Sequence, residues 1–441
     1  MKKAILQLGW KKNSLKTPLG FPVKNKGTSN IRDLEKFNIG GEGHMLTIAP
    51  TGKGKGRNVI IPTLLNYPGS ILIIDPKGEA AAVTARRRKE FGKVVILDPF
   101  KLVKKRSDRL NPMEVCNMLP QSTEQNAMML TEQLHHGYQG FKSDPYWDNT
   151  ADALISGLIA HILDDKPNNQ RNFATLRNML AQDDIDYSLA VILDTMGKSM
   201  NKFAYQEISQ YLQIPSDKTR PCVLSTAQQH IKIFGDPSVC NVVKGESTFD
   251  VNAFIEGEPM TIYIVIPPTK LRTHSALLRL WISSLLFGLL ERTSLPEIPT
   301  LFMIDETAQL GKIEAIRTAK TLIRGYGVRV WSFWQDLSQI KRLYPEDWTT
   351  IVNNSDLIQI FGVTTNMMAN ELIQVVGKIT SETLLDLPEN EMIMALPPGR
   401  VEKVYKMDYL KDAIFQNLYD KHPMFDKKSN LKSVKKTTRQ R

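Results

Sequence analysis

The sequence predicts an α/β fold, with a mostly parallel central sheet that carries a P-loop and is interrupted by an inserted all-α domain. Three observations predict it. Residues 44–65 read HMLTIAPTGKGKGRNVIIPTLL, an apolar strand, a glycine-rich turn and a return to helical spacing. Near-continuous apolar runs recur between helical segments, the pattern of parallel strands buried on both faces. From about residue 122 to 245 that pattern stops, and helical periodicities rich in Leu, Met, Gln and Asn replace it.

In chain order, residues 1–43 contain lysine, glycine and proline with weak periodicity and read as an extended lead-in. Met45–Ala49 is the P-loop strand, and the first part of the nucleotide-binding domain is placed at 44–121. Ser70–Asp75 and Lys93–Asp98 are bounded apolar runs, each ending in Asp-Pro. The carboxyl ends of strands are where open α/β sheets place their ligands. Helical patterns follow at Thr123–Leu134, Pro145–Leu163, Phe173–Leu180, Asn201–Leu212 and Thr219–Ile231, so 122–245 reads as the all-α domain. The sheet resumes at Met260–Ile266, and a long apolar helix runs from about Leu271 to Glu291. Strands are expected at Leu301–Glu306, Gly327–Trp334 and Leu357–Gly362, with shorter ones near Glu391–Leu396 and Val401–Tyr405. The second part of the nucleotide-binding domain is therefore 246–425, followed by a basic tail at 426–441.

Composition bounds the function. The net charge of +11 invites a nucleic-acid reading until it is located. Residues 1–30 hold seven lysines and residues 427–441 seven Lys/Arg, with no acids in either stretch. Residues 31–426 carry 43 basic against 46 acidic side chains, so the body is near neutral. Such basic ends are solvated or contact nucleic acid or anionic lipid. Three cysteines, odd in number and without metal-ligand spacing, suit a reducing compartment. The strongest apolar stretch, Leu277–Leu290, is short for a bilayer and carries Arg279, so a buried helix is expected there.

The chemistry begins at the P-loop, where Thr51, Gly52, Lys53, Gly54, Lys55, Gly56 and Arg57 are the candidate nucleotide contacts. Glycines let consecutive backbone N–H groups turn inward around a phosphate, and the helix N-terminus adds its dipole. Lys55 stands where a lysine reaches the outer phosphates. Two positions depart from the usual pattern: Ala49 replaces the first glycine, and Gly56 replaces the Ser/Thr whose hydroxyl helps hold Mg²⁺. A glycine turn without any ligand is the plainer alternative for this string taken alone. Phe302–Glu306 supplies what such a site needs next, an apolar strand ending in two acids. Asp305 is the candidate for the Mg²⁺ shell and Glu306 for the base that polarises the attacking water. Gln335, at the tip of the next strand, suits a γ-phosphate sensor or a water-positioning group. Arg324, on the turn Ile323–Gly327, suits a guanidinium offered to a neighbouring subunit. A hydrogen-bonded glutamine and a surface arginine are the alternatives. His135-His136 is the only histidine pair, and adjacent helical residues face different directions, so a metal site is not expected there. Trp331, Phe333 and Trp334 read as core rather than as base-stacking residues.

Together these residues resemble a family, the TraG/TraD-like coupling proteins of type IV secretion and conjugation. The resemblance covers about residues 28–410 and rests on APTGKGKG (49–56), IPTLLNYPGSILIIDPKGE (61–79), DPYWDNTADAL (144–154), LFMIDETAQLGK (301–312) and RGYGVRVWSFWQ (324–335). It implies a RecA-like motor with an all-α domain that uses ATP and Mg²⁺ and works as a homo-hexamer, monomeric in isolation being the alternative. It further implies recruitment of DNA, single- or double-stranded, with relaxase or effector proteins, and delivery to secretion-channel components at the cytoplasmic face of the bacterial inner membrane. By position, Lys55 matches the family's P-loop lysine, Asp305 and Glu306 its acidic pair, Arg324 its trans-acting arginine and Gln335 its glutamine sensor. A glycine after the lysine also occurs in this family, which leaves the Mg²⁺ hydroxyl ligand unaccounted for. Members usually begin with transmembrane helices, and none is legible here; a truncated form, a soluble member and one recruited by a membrane partner all fit. Two other functions stay open: a substrate-receptor scaffold that binds ATP with little hydrolysis, and a cytoplasmic DNA translocase outside secretion.

Overall fold

A computed structural model describes residues 6–12, 34–41, 43–134, 145–215, 218–311, 323–396 and 399–422. Strands β1 (Leu6–Lys12), β2 (Leu34–Ile39), β3 (His44–Ile48), β4 (Ile71–Ile74), β5 (Lys93–Leu97), β6 (Met260–Ile264), β7 (Thr300–Ile304), β8 (Val328–Trp334), β9 (Ser355–Ile360), β10 (Glu391–Leu396) and β11 (Arg400–Tyr405) join one sheet. Their order is β2-β1-β11-β10-β9-β3-β8-β7-β4-β6-β5. From β9 to β5 every pairing is parallel, while β10, β11, β1 and β2 add an antiparallel edge.

The parallel part is buried on both faces. Ile71 and Ile73 of β4 join Leu301 and Met303 of β7 on the face covered by the P-loop helix. Leu72 and Ile74 join Phe302 and Ile304 on the opposite face, in a core shared with the helical region. Alternation thus survives in strands whose every residue is apolar. The helix Pro145–Asp165 buries Leu154, Ile155, Leu158, Ile159 and Ile162 along one stripe. It approaches the helix Lys202–Gln213 so closely that a Cβ at Gly157 would lie 2.7 Å from Glu207 Cβ. The expected long apolar helix is Ser275–Leu290, buried nearly all round, with Arg279 donating to the Gln133 carbonyl at 3.0 Å. Among the described residues no helix is long and apolar enough to cross a membrane.

One expectation is corrected. Part of the stretch read as an extended lead-in, Leu6–Lys12 and Leu34–Ile39, forms an antiparallel pair that closes the sheet edge against β11. Leu6, Leu8 and Phe37 are buried there, and Lys11 pairs with Glu402 at 2.6 Å. Strand partners some 390 residues away (Trp10 opposite Tyr405) leave no local periodicity to read. The helices Ile185–Met196 and Asn366–Val376 were also not expected. The basic segments 1–5, 13–33 and 423–441 and the pair His135-His136 lie outside the described residues.

Candidate functional site

The site forms where the carboxyl ends of three neighbouring strands meet. Ile48 of β3 lies opposite Trp334 of β8, and Ile304 of β7 opposite Ser332 of β8. The residues that follow these strand ends, the P-loop, Asp305-Glu306 and Gln335, therefore emerge at one edge of the sheet.

After Ala49, whose N–H donates to Trp334 O at 3.0 Å, the chain turns through Gly52 (φ +79°) and Gly54 (φ +93°). A side chain at Gly54 would overlap Asn58 Oδ1, so glycine is required there on two counts. The chain then enters a wide helical turn, Gly56–Ile60, which continues as an α-helix over Ile61–Asn66. Lys55 is buried and folds back inside the loop, its ammonium donating to Ala49 O at 2.6 Å and Pro50 O at 3.4 Å. Burial lowers its pKa, while Asp305 and then Glu306 oppose that shift by attraction. The lysine and both acids thus share one electrostatic environment.

Asp305 follows β7 and is pushed up to about 6, first by burial and then by repulsion from Glu306. Glu306 adopts a left-handed backbone (φ +51°), a conformation that costs a non-glycine residue on the order of 1 kcal/mol. Its N–H donates to Asp305 Oδ1 at 3.0 Å. Gln335 donates through Nε2 to Glu306 Oε2 at 3.2 Å, which brings the candidate sensor into contact with the second acid. Trp331 and Phe333 stack in the core at 5.1 Å, and Trp331 donates to Thr47 Oγ1.

Two of the expected residues are paired with acids of their own chain. Arg324 precedes β8 and sits at the opposite edge of the sheet, where its guanidinium meets Asp356 at 2.9 Å; both side chains are exposed. Its own chain cannot bring it to Lys55. Arg57, expected among the nucleotide contacts, is engaged in a bidentate pair with Asp408 at 2.8 and 2.7 Å. The two Asp-Pro strand ends are occupied by backbone. Asp98 accepts the N–H groups of Leu102, Val103 and Lys104, and Asp75 that of Ala81 at 2.8 Å. Asp75 is pushed up to about 7, chiefly by burial.

Several site residues carried no role in the sequence reading. A cleft of 1130 Å³ opens beside the P-loop, walled by Thr51–Gly54 on one side and by Pro388, Lys406 and Asp408 on the other. Lys406 packs over Phe361 at 4.7 Å and reaches Lys53 O at 3.5 Å. Asn58 Nδ2 donates to Met407 O at 2.6 Å, fixing the segment after β11 to the P-loop helix. Nothing in the string 406–412 signals that task. Glu79, by contrast, stood in the quoted run after β4 and was given no chemistry.

Among the described residues no group of three or more His, Cys, Asp and Glu is arranged to hold a metal. A Mg²⁺ ion that arrives with a nucleotide needs less, because phosphates and water fill most of its shell beside one or two carboxylates. Among the candidates, Asp305 is the carboxylate whose charge acts most on Lys55. Beyond the neighbouring residues of its own turn, a Cβ built at Gly56 meets Glu79 Oε1 at 3.9 Å, so a carboxylate oxygen lies close to the position that lacks its hydroxyl.

Comparison with known proteins decides the family. A family model described as type IV secretory system conjugative DNA transfer matches residues 5–384. The chain belongs to that family. This member is 29% identical over 318 residues to the conjugal transfer protein TraG of Escherichia coli, covering 68% of this chain and 49% of TraG. It is 29% identical over 335 residues to VirD4 of Agrobacterium fabrum, covering 74% of this chain and 48% of VirD4. The chain spans about half the length of the curated relatives it matches. Its fold is that of the bacterial conjugative coupling protein TrwB, with a TM-score of 0.62 at 15% identity over 82% of this chain and 85% of that one. TrwB has also been solved with ADP and Mg²⁺ and with a non-hydrolysable ATP analogue. That likeness bears out the expected RecA-like P-loop fold with an all-α part.

Proposed function

We propose that this family member is an ATP-hydrolysing coupling protein that recruits relaxase–DNA complexes or effector proteins and drives or gates their passage through a type IV secretion channel. The convergence of Lys55, Asp305, Glu306 and Gln335 at one sheet edge carries this reading. The nucleotide complexes of TrwB support it.

In this reading the P-loop N–H groups from Thr51 to Gly56 receive the phosphates, and Lys55 leaves the Ala49 and Pro50 carbonyls for the outer phosphates. Mg²⁺ bound with the nucleotide supplies positive charge against the developing charge on the phosphates. Asp305 turns its carboxylate to that shell. Glu306 accepts the proton of the attacking water through hydrogen-bond contact, and Gln335 holds both the glutamate and the water in line. Arg324, remote from its own chain's site, serves the site of the next subunit in a homo-hexameric ring. Residues 122–245 act as the all-α docking domain for cargo, and 44–121 with 246–425 as the motor. The experiment is ATP turnover with and without DNA, alongside mass determination on the same sample. Turnover that rises with DNA and with assembly supports the motor; assembled protein that binds ATP without turning it over, with DNA present, leaves only a receptor scaffold.

A further inference from the structure

We infer that Glu79 replaces the hydroxyl missing from the P-loop, supplying the protein oxygen that holds the Mg²⁺ shell of a bound nucleotide beside Gly56. The inference rests on the nucleotide-site reading above and assigns the one ligand that reading leaves open.

The position after the P-loop lysine is the one from which a Ser or Thr hydroxyl reaches Mg²⁺. Here it is Gly56, and beyond the neighbouring residues of its own turn the atom nearest its built Cβ is Glu79 Oε1 at 3.9 Å. That oxygen belongs to a turn fixed from both sides. Asp75 ends β4 and accepts the Ala81 N–H, pinning the start of the helix Glu79–Arg88. Gly78 takes φ +65°, and a Cβ on it would lie 2.5 Å from Val103 Cγ2. The turn D-P-K-G-E is thus held at Asp75 and packed against Val103, with Glu79 Oε1 beside Gly56. The Glu79 carboxylate is about a third exposed and receives His422 Nε2 at 3.0 Å on Oε1. A carboxylate offers roughly four acceptor sites, so one imidazole contact does not exhaust it. A hard cation selects such oxygens.

The test compares wild type with Glu79→Gln, Glu79→Asp, Gly56→Ser and the double variant Gly56→Ser/Glu79→Gln. Binding of a fluorescent ADP analogue is measured in EDTA and across a Mg²⁺ titration. Glu79→Gln is isosteric and is expected to raise the Mg²⁺ concentration for half-maximal binding about tenfold or more. Its affinity in EDTA should stay within about twofold of wild type, since the phosphate cradle is untouched. Glu79→Asp should fall between the two, and Gly56→Ser should restore the Mg²⁺ response in the Glu79→Gln background. An unchanged Mg²⁺ titration in Glu79→Gln overturns the inference while leaving the nucleotide site standing. So does an equal loss of affinity in EDTA, which marks a structural role, or a double variant as impaired as Glu79→Gln. If wild type and Lys55→Ala bind the analogue equally, the nucleotide-site reading itself fails, and the inference with it.

Discussion

Replacing Arg324 with alanine separates a role within one chain from a role between chains. Arg324 and the P-loop lie at opposite ends of β8, whose seven residues span about 20 Å at the strand rise of roughly 3.3 Å per residue. That distance is several times the reach of an arginine side chain. The nucleotide affinity of isolated subunits should therefore change by less than about twofold. Stability should barely move either. The Arg324–Asp356 pair is solvent-exposed (56% and 42%), and such pairs contribute about 0.2–1 kcal/mol. In assembled rings a guanidinium facing the neighbour's transferred phosphoryl group is worth on the order of 10³-fold in turnover. The assay is steady-state ATP hydrolysis across protein concentration, with oligomer size read on the same samples. A steep loss confined to the assembled species is expected. Equal loss at concentrations where the protein is monomeric would refute the trans assignment, as would a large shift in nucleotide affinity.

Other perturbations probe the site within one chain. Gln335→Ala removes the 3.2 Å contact to Glu306 and should lower kcat about 10-fold or more while leaving nucleotide affinity near wild type, as pre-steady-state kinetics can resolve. Gly54→Ala forces a side chain onto a backbone at φ +93° and displaces Asn58 from Met407 O. A loss of about 2 kcal/mol is expected by urea denaturation, together with weakened nucleotide binding. Burial raises Asp305 to about 6, so the ligand-free fold binds a proton there that the unfolded chain releases near pH 4. The stabilisation from that proton is complete below about pH 4 and is lost as pH rises through 6. The stability of wild type minus that of Asp305→Asn should therefore fall between about pH 4 and 7; a flat or rising difference contradicts the protonated carboxyl.

The parallel core was legible because its strands are short apolar runs whose chemistry-bearing residues come at their ends. β4, β5, β7 and β8 were placed within a residue or two for that reason. The P-loop and Asp305-Glu306 lie about 250 residues apart and could be joined only through the logic of a shared site. What stayed hidden depends on distant partners. β1 is a strand because β11 lies beside it, and β2 because β1 does; Lys11, paired with Glu402, interrupts the apolar pattern of β1. Helix Ile185–Met196 had a readable start, since the Asp184 side chain caps the Tyr187 N–H, yet an exposed Tyr187 and Val191 blur its amphipathic stripe. The bidentate partner of Arg57 lies 351 residues further along the chain, so no local pattern could have shown that pairing. Glu79 is in plain view in IIDPKGE, but only the folded chain brings its carboxylate beside Gly56.

Equilibrium binding and single-turnover hydrolysis of ATP with Mg²⁺, on wild type, Lys55→Ala and Glu306→Gln, test most directly whether the β3–β7–β8 edge is an ATPase centre. Wild type should bind and turn over. Lys55→Ala should lose binding or turnover because no other described ammonium donates into the loop at Ala49 and Pro50. Glu306→Gln should bind ATP near wild-type affinity and hydrolyse it at least about 10²-fold more slowly. Undiminished hydrolysis in both variants would contradict the assignment.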